Sequence, residues 1–292
     1  MNVRRTMVCA LAGLVLASGC ARKQSNEPPV ATATFTVNHP RAPLGSPVEV
    51  TYQFTVAPNA KFDENYRVFV HFLDPNEEQM WTDDHDPPTP TTQWRPGQVI
   101  AYTRTMFIPR YPYVGAATVR LGLYSLKTGK RLTLTGEHDQ LSYKVGTIEL
   151  LPQSEAVFLI FKDGWHAAEV AKDNAAVEWQ WTKREALLSF RNPKKDSTFY
   201  LHVDSRADLF PRPQVVTLSI GDQTLDSFEL ATPNDLLRKV PISAAQLGEA
   251  DMIDLKIAVD QTIVPAQTPA AKSSDPRELG VRVFHAYIEP KS

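Results

Sequence analysis

The chain has 292 residues, with 31 lysines and arginines against 33 aspartates and glutamates and a formal net charge of −2. Acids and bases are interspersed, which excludes the basic footprint of a nucleic-acid binder. Both cysteines, Cys9 and Cys20, fall near the start of the chain. The body downstream therefore has no thiol for a disulfide, a thiolate metal site or a cysteine nucleophile.

In chain order, Arg4 and Arg5 come first, followed by an uncharged apolar run over residues 7–17. That run is shorter than the roughly 20 residues a membrane span needs. A charged start, a short apolar stretch and small residues read as a secretory signal over residues 1–19. The small residues end in "LASGC" (16–20), which resembles the lipobox of bacterial lipoproteins. The resemblance implies that the signal is cut before Cys20 and that the Cys20 thiol is lipidated. It also implies a protein held to a membrane through its acyl chains, several of which anchor far more firmly than one. Ala21 after the cysteine, in place of aspartate, implies sorting to the outer membrane. An ordinary secretory signal with a chance cysteine is the competing reading. Residues 20–31 are polar and proline-bearing, as suits a tether.

Strand-like segments follow: "ATFTVNH", "PVEVTYQFTVA", "YRVFVHFLD", "QVIAYTRTMFI", "ATVRLGLYSL" and "SYKVGTIELL". Each is rich in β-branched and aromatic residues, and turn clusters such as "APLGSP" and "WRPGQ" separate them. Val48, Val50, Tyr52, Phe54 and Val56 share one face of their strand, whereas residues 66–73 are apolar on nearly both faces, as in a central strand. The expectation is an immunoglobulin-like antiparallel sandwich over residues 32–150. After a hinge at 150–156, "VFLIF", "VEWQW", "ALLSF", "TFYLHVD", "QVVTLSI", "LDSFEL", "LRKVPI", "MIDLKIAVD" and "GVRVFHAYIE" predict a jelly-roll sandwich over residues 156–290. "ISAAQLG" (242–248) suits one helical turn capped by Ser243. The fold class is thus all-β, with two antiparallel sandwiches.

"DGWHAAE" (163–169), "WQWT" (179–182) and "DPRELGVRV" (275–283) make the second half resemble the galactose-binding-like, carbohydrate-binding-module-like jelly rolls found beside bacterial glycosyltransferases and other envelope-sugar proteins. The resemblance implies a jelly-roll fold and an association with glycans. No transferase segment accompanies the module. The first half resembles immunoglobulin-like domains of uncharacterised lipoproteins, which imply no activity.

The densest chemistry lies in "MWTDDHDPPTPTTQW" (80–94). Asp83, Asp84, His85 and Asp86 stand between Trp81 and Trp94, and Tyr111 and Tyr113 occupy the next proline-rich loop. Carboxylates accept hydrogen bonds from sugar hydroxyls and flat aromatic faces stack on sugar rings, so these eight residues are the ligand-binding candidates. A metal ion is not expected, because neighbouring residues of an extended loop point in different directions and no ligand spacing follows. The competing reading is a proline-stiffened loop that packs its own tryptophans. Three further stretches read as structural. Trp179 and Trp181 share a strand face with Val177 and read as core residues, with a ligand platform as the alternative. Asp204, Arg206 and Asp208 suit either a binding loop at a sandwich rim or a charge-laced turn. Arg277 is expected to pair with a carboxylate.

No G-x-S-x-G, H-E-x-x-H, P-loop or dinucleotide fingerprint is present, and no cofactor is implied. The leading expectation is a non-enzymatic, lipid-anchored envelope protein that binds a glycan or a partner protein through its loops. A glycan hydrolase with a carboxylate pair at a loop rim and a structural subunit of an envelope assembly are the alternatives.

Overall fold

The computed structural model describes residues 27–291 apart from 173, 175 and 176. The expected signal and Cys20 lie outside the described residues. The chain is all-β. Its first ten strands are β1 (Ala31–Val37), β2 (Arg41–Pro43), β3 (Pro47–Val56), β4 (Arg67–Leu73), β5 (Gln79–Thr82), β6 (Val99–Phe107), β7 (Gly115–Tyr124), β8 (Leu134–Thr135), β9 (His138–Asp139) and β10 (Ser142–Leu151). They form one sheet in the order β6-β3-β1-β8 and a second in the order β2-β10-β7-β4-β5, with β9 added to β10. The long strands pair antiparallel; the short β8 and β2 pair parallel to β1 and β10. On β3, Val48, Val50, Tyr52, Phe54 and Val56 are all buried between the two sheets, so the period-two pattern holds along the whole strand. β4, flanked by β7 and β5, is buried at all but two positions.

A single 3₁₀ turn, Gln153–Glu155, leads to the second set. Its strands are β11 (Leu159–Phe161), β12 (Glu169–Val170), β13 (Glu178–Trp181), β14 (Glu185–Arg191), β15 (Ser197–Asp204), β16 (Gln214–Ile220), β17 (Gln223–Leu230), β18 (Leu236–Ile242), β19 (Met252–Val259) and β20 (Arg282–Pro290). Two five-stranded sheets result, β11-β14-β19-β16-β17 and β12-β13-β20-β15-β18. The chain crosses between them at most of its turns, as in a jelly roll. Leu188, Phe190, Phe199, Leu201, Val216, Leu218, Leu255 and Ile257 fill the space between these sheets. Burying side chains of this kind contributes about 1.5–3 kcal/mol each. The helical turn Ala244–Leu247 (α1) begins with a capping box between Ser243 and Gln246 and stops at Gly248, whose φ is +66°.

The two sandwiches have separate cores and meet through side chains on their outer faces. Phe107 of β6 stacks on His285 of β20, His39 Nε2 lies 3.2 Å from the Glu289 carboxylate, and Lys239 Nζ binds the Glu49 carboxylate. Among the described residues, no helix is long and apolar enough to cross a membrane.

Candidate binding site

The charge run at 83–86 is tied to the sandwich on one side. The segment runs back along β4, with His85 bridged to Val68, and this turns two of its four ionisable groups inward. The Asp83 carboxylate accepts the Tyr52 hydroxyl at 2.8 Å and the Arg104 guanidinium at 2.8 and 3.0 Å. His85 is 4% exposed, with Nδ1 against the Asp83 carbonyl at 2.6 Å and Nε2 against the Tyr102 hydroxyl at 2.7 Å. Burial, set against the hydrogen bond to Asp83, holds the His85 pKa below the ordinary imidazole value. Burial next to Asp83 also raises the Tyr52 hydroxyl well above the usual phenol range. Asp84 accepts the Val70 amide at 3.0 Å and sits 4.0 Å from His71, and Asp86 faces solvent.

The aromatic candidates do not form one platform. Trp94 is 3% exposed, packs against Phe54 and Phe62, and donates its indole N–H to the Thr89 carbonyl at 2.8 Å. Trp81 is half-buried and stacked on Phe72 with centroids 4.5 Å apart. Tyr113 bonds to the Ala116 carbonyl; it and Tyr111 lie beyond the far end of β6 from Trp94. Those nine residues of strand span about 30 Å. The physical reason is the strand register. It sets Tyr52 opposite Tyr102 and Val50 opposite Arg104, so the loop meets ready-made partners inside the sandwich. Among the described residues, no three His, Cys, Asp or Glu side chains are gathered as a metal site.

The other sequence expectations resolve locally. Trp181 is 8% exposed and packs with Ile263 and Leu279, with Trp179 partly buried beside it. Arg206 pairs with Asp208 on the surface. Arg277 bridges Asp275 and Glu169 in a half-buried cluster.

The strongest concentration of chemistry lies on the outer face of the β12-β13-β20-β15-β18 sheet, where an open cleft of about 450 Å³ forms. Clefts for small ligands fall in this range. β15 and β20 supply its floor. Their register pairs Asp204 with Arg282 and His202 with His285, and it shifts by one residue between those pairs. The shift is a bulge on β20, and bulges re-aim side chains. Val283 and Ala286 pack against the core, while Arg282, Phe284 and His285 all line the cleft. The loop ahead of β18 adds Asn234 and Asp235, and Glu178 closes the side.

These groups are held in place. The Arg282 guanidinium forks onto the buried Asp204 carboxylate, with Nε to Oδ1 at 2.8 Å, and lies 4.9 Å over Trp179 and 5.0 Å over Phe284. His202 Nε2 is 2.5 Å from Asp235 Oδ2, and His202 Nδ1 is 3.2 Å from His285 Nδ1. The hydrogen-bond chain assigns the tautomers: His202 donates to Asp235 through Nε2–H and accepts from His285 Nδ1–H. His285 Nε2 is then left as an acceptor. Desolvation against Phe107, reinforced by the positive charge of Arg110, pushes the His285 pKa down to about 4, although the residue as a whole remains exposed. The hydrogen bond from His202 holds Asp235 below the usual carboxylate range, outweighing the opposing effect of its partial burial.

Of this cleft, the sequence had drawn attention only to Asp204 and to the neighbouring Trp179. Its other members come from β13, β15, β20 and the loop ahead of β18, segments far apart in the chain. Only the pairing of those strands brings them together.

No family model matches the chain, and no curated protein matches it. Solved structures similar to it include the tandem CBM22 domains of Paenibacillus barcinonensis Xyn10C. That match is 12% identical, covers 98% of this chain and 100% of the other, and has a TM-score of 0.26. Salmonella α-2-macroglobulin is 13% identical over 89% of this chain, at a TM-score of 0.26. Bacteroides uniformis β-glucuronidase is 10% identical over 89% of this chain, at a TM-score of 0.29. The chain spans 15% and 30% of the length of those two proteins. Likeness at these scores carries no argument about ligand or chemistry, which rest on the site's own geometry.

Proposed function

We propose that the protein is a non-enzymatic, lipid-anchored envelope protein whose second sandwich binds a glycan in the cleft between β15, β20 and the loop ahead of β18. The observation that carries this reading is the placement of the Phe284 ring beside Asp235, Asn234 and the acceptor nitrogen of His285. A sugar ring has an apolar face and a rim of hydroxyls that both donate and accept. An aromatic ring flanked by fixed acceptors and an amide matches both features. Two of the three cleft carboxylates support binding over hydrolysis. Asp204 is ion-paired with Arg282, and Asp235 is kept ionised by His202, whereas a glycosidase needs one carboxyl protonated at working pH.

Lipidation at Cys20 would hold this module at the outer membrane. Cys20→Ala should leave the protein soluble and unlabelled by a radioactive fatty acid, and retention in the membrane pellet would remove the anchor from the proposal. A glycan array probed with the mature protein tests the rest. At least one glycan class should bind, Phe284→Ala should weaken it about tenfold at unchanged melting temperature, and incubation should release no reducing ends. Release of reducing ends would make the protein a hydrolase. A silent array with Phe284-dependent capture of an envelope protein would make the cleft a protein contact.

A further inference from the structure

The first sandwich carries a second cleft, of about 800 Å³, at the end where β3 leaves its sheet and β6 enters it. Two loops build it. One runs from β3 toward β4 and contributes Asn59, Lys61 and Phe62; the other precedes β6 and contributes Thr92, Trp94 and Arg95.

The charge of this cleft is one-sided. Lys61 and Arg95 are both exposed, and among the described residues no aspartate or glutamate lines the cleft. The nearest acids along the loop are engaged elsewhere. Asp63 accepts the Tyr66 hydroxyl at 2.7 Å, and Glu64 lies 3.8 Å from Lys127. The Arg95 guanidinium donates to the Thr92 and Trp94 carbonyls, and among the described residues neither it nor Lys61 is in an ion pair. In a chain of net charge −2, two cations facing one concavity without a carboxylate between them form a local reversal of sign.

The wall is aromatic and rigid. Phe62 lies edge-on to Trp94 with centroids 5.4 Å apart and is half-buried. Trp94 is fixed from behind by Phe54 and by its bond to Thr89. The Thr92 hydroxyl is anchored on the Asn65 side chain at 2.8 Å. Proline on either side, Pro58 and Pro96, stiffens both loops, and pre-organised loops lose little entropy on binding.

We propose that this cleft is a binding site for an acidic sugar, a ring whose carboxylate is held between Lys61 and Arg95 while its apolar face rests on Phe62. An aromatic wall selects a ring, and the two cations, without an ion-pair partner among the described residues, select a negative charge on it. The site is separate from the cleft of β15 and β20 and does not depend on it.

The test is titration of the mature protein with oligogalacturonate, alongside a neutral galactose oligomer of the same length and inorganic phosphate. Oligogalacturonate should bind and quench or shift Trp94 fluorescence, and affinity should fall on raising salt from about 0.05 to 0.5 M because exposed charges are screened. Lys61→Gln and Arg95→Gln should each weaken it about tenfold, whereas Phe284→Ala should leave it unchanged. The melting temperatures of both charge variants should match the parent, since neither side chain is buried. Three outcomes would each overturn the proposal: no binding of oligogalacturonate, equal binding of the neutral oligomer, or equal occupancy by phosphate. Loss of binding in Phe284→Ala alone would move the ligand to the other cleft and sink this one.

Discussion

Phe107 and His285 stack face to face across the seam between the two sandwiches, with ring centroids 4.2 Å apart and planes within 8°. The His202 ring lies nearly parallel to both, 5.5 Å from His285 and 6.3 Å from Phe107. A side chain of the first sandwich therefore covers one edge of the cleft built by the second. The protonation state of His285 is tied to that contact, because desolvation under Phe107 opposes its charge and Arg110 repels it.

The first prediction follows from the sign of that shift. With a folded pKa of about 4 against an unfolded value near 6.5, the unfolded chain binds more protons between those two values. Stability is then unaffected by this group above pH 6.5 and falls as pH drops from about 6.5 to 4. His85 and His71 shift in the same direction through burial and steepen the decline. Melting temperatures measured from pH 7.5 to 4 should fall, and His285→Gln should flatten part of the slope. A parent curve level through this window would contradict the assignment of a neutral, desolvated His285.

Asp83 is predicted to hold the first sandwich together. Asp83→Ala removes the acceptor for Tyr52, which is fully buried, and for Arg104. Breaking a fully buried pair costs about 3–5 kcal/mol. Arg104 keeps 38% of its side chain in solvent and can turn to water, so the loss should be about 2–3 kcal/mol. Urea unfolding should show it as a lower midpoint at unchanged slope. A change below 0.5 kcal/mol would return the charge run to the surface.

The contrast between Asp83 and β3 shows what the sequence makes legible. On β3 the alternation of Val48, Val50, Tyr52, Phe54 and Val56 is enough, because one strand's period determines which side chains go inward. The ionisable residues of 83–86 carry no such period, and their partners Tyr52, Tyr102 and Arg104 come from two other strands. Hydropathy alone places such residues outside, and burial becomes reasonable only when hydrogen-bond partners are counted. The cleft at His202 and His285 was hidden for a second reason. The bulge at Phe284 breaks the two-residue period of β20, so a strict alternation sends Phe284 and His285 to opposite faces.

Gly164, in the "DGWHAAE" stretch, is predicted to be intolerant of any side chain. Its φ is +86°, and a Cβ there would fall 1.9 Å from the Glu185 carbonyl oxygen and 2.7 Å from the Ala186 Cα. Those atoms belong to β14, fixed in its sheet by β11 and β19, and cannot withdraw. Gly164→Ala should cost more than about 3 kcal/mol. Gly97, with φ +75° and nothing within 4 Å of the added Cβ, isolates the backbone term. Gly97→Ala should cost only about 1–2 kcal/mol. Equal losses at the two positions would mean that the close approach of Gly164 to β14 is not maintained in solution.

Trp181 and Trp179 share one face of β13 but should not weigh equally. Trp181 is 8% exposed and packs with Ile263 and Leu279 beneath Leu209 and Phe210. Removing it empties a closed space, and Trp181→Ala should destabilise the second sandwich by about 3–5 kcal/mol. Trp179 is partly exposed, and its outer face is covered by the Arg282 guanidinium at 4.9 Å. Arg282 stays pinned by Asp204 when the indole is removed, so the gap opens toward solvent and refills with water. Trp179→Ala should cost about 1–3 kcal/mol and should free the Phe284 ring, which meets the indole edge-on, weakening glycan binding more than its effect on folding accounts for. Denaturant midpoints for both variants, with glycan affinity measured well below the transition, separate the two roles. Equal destabilisation with unchanged affinity would make Trp179 a core residue only.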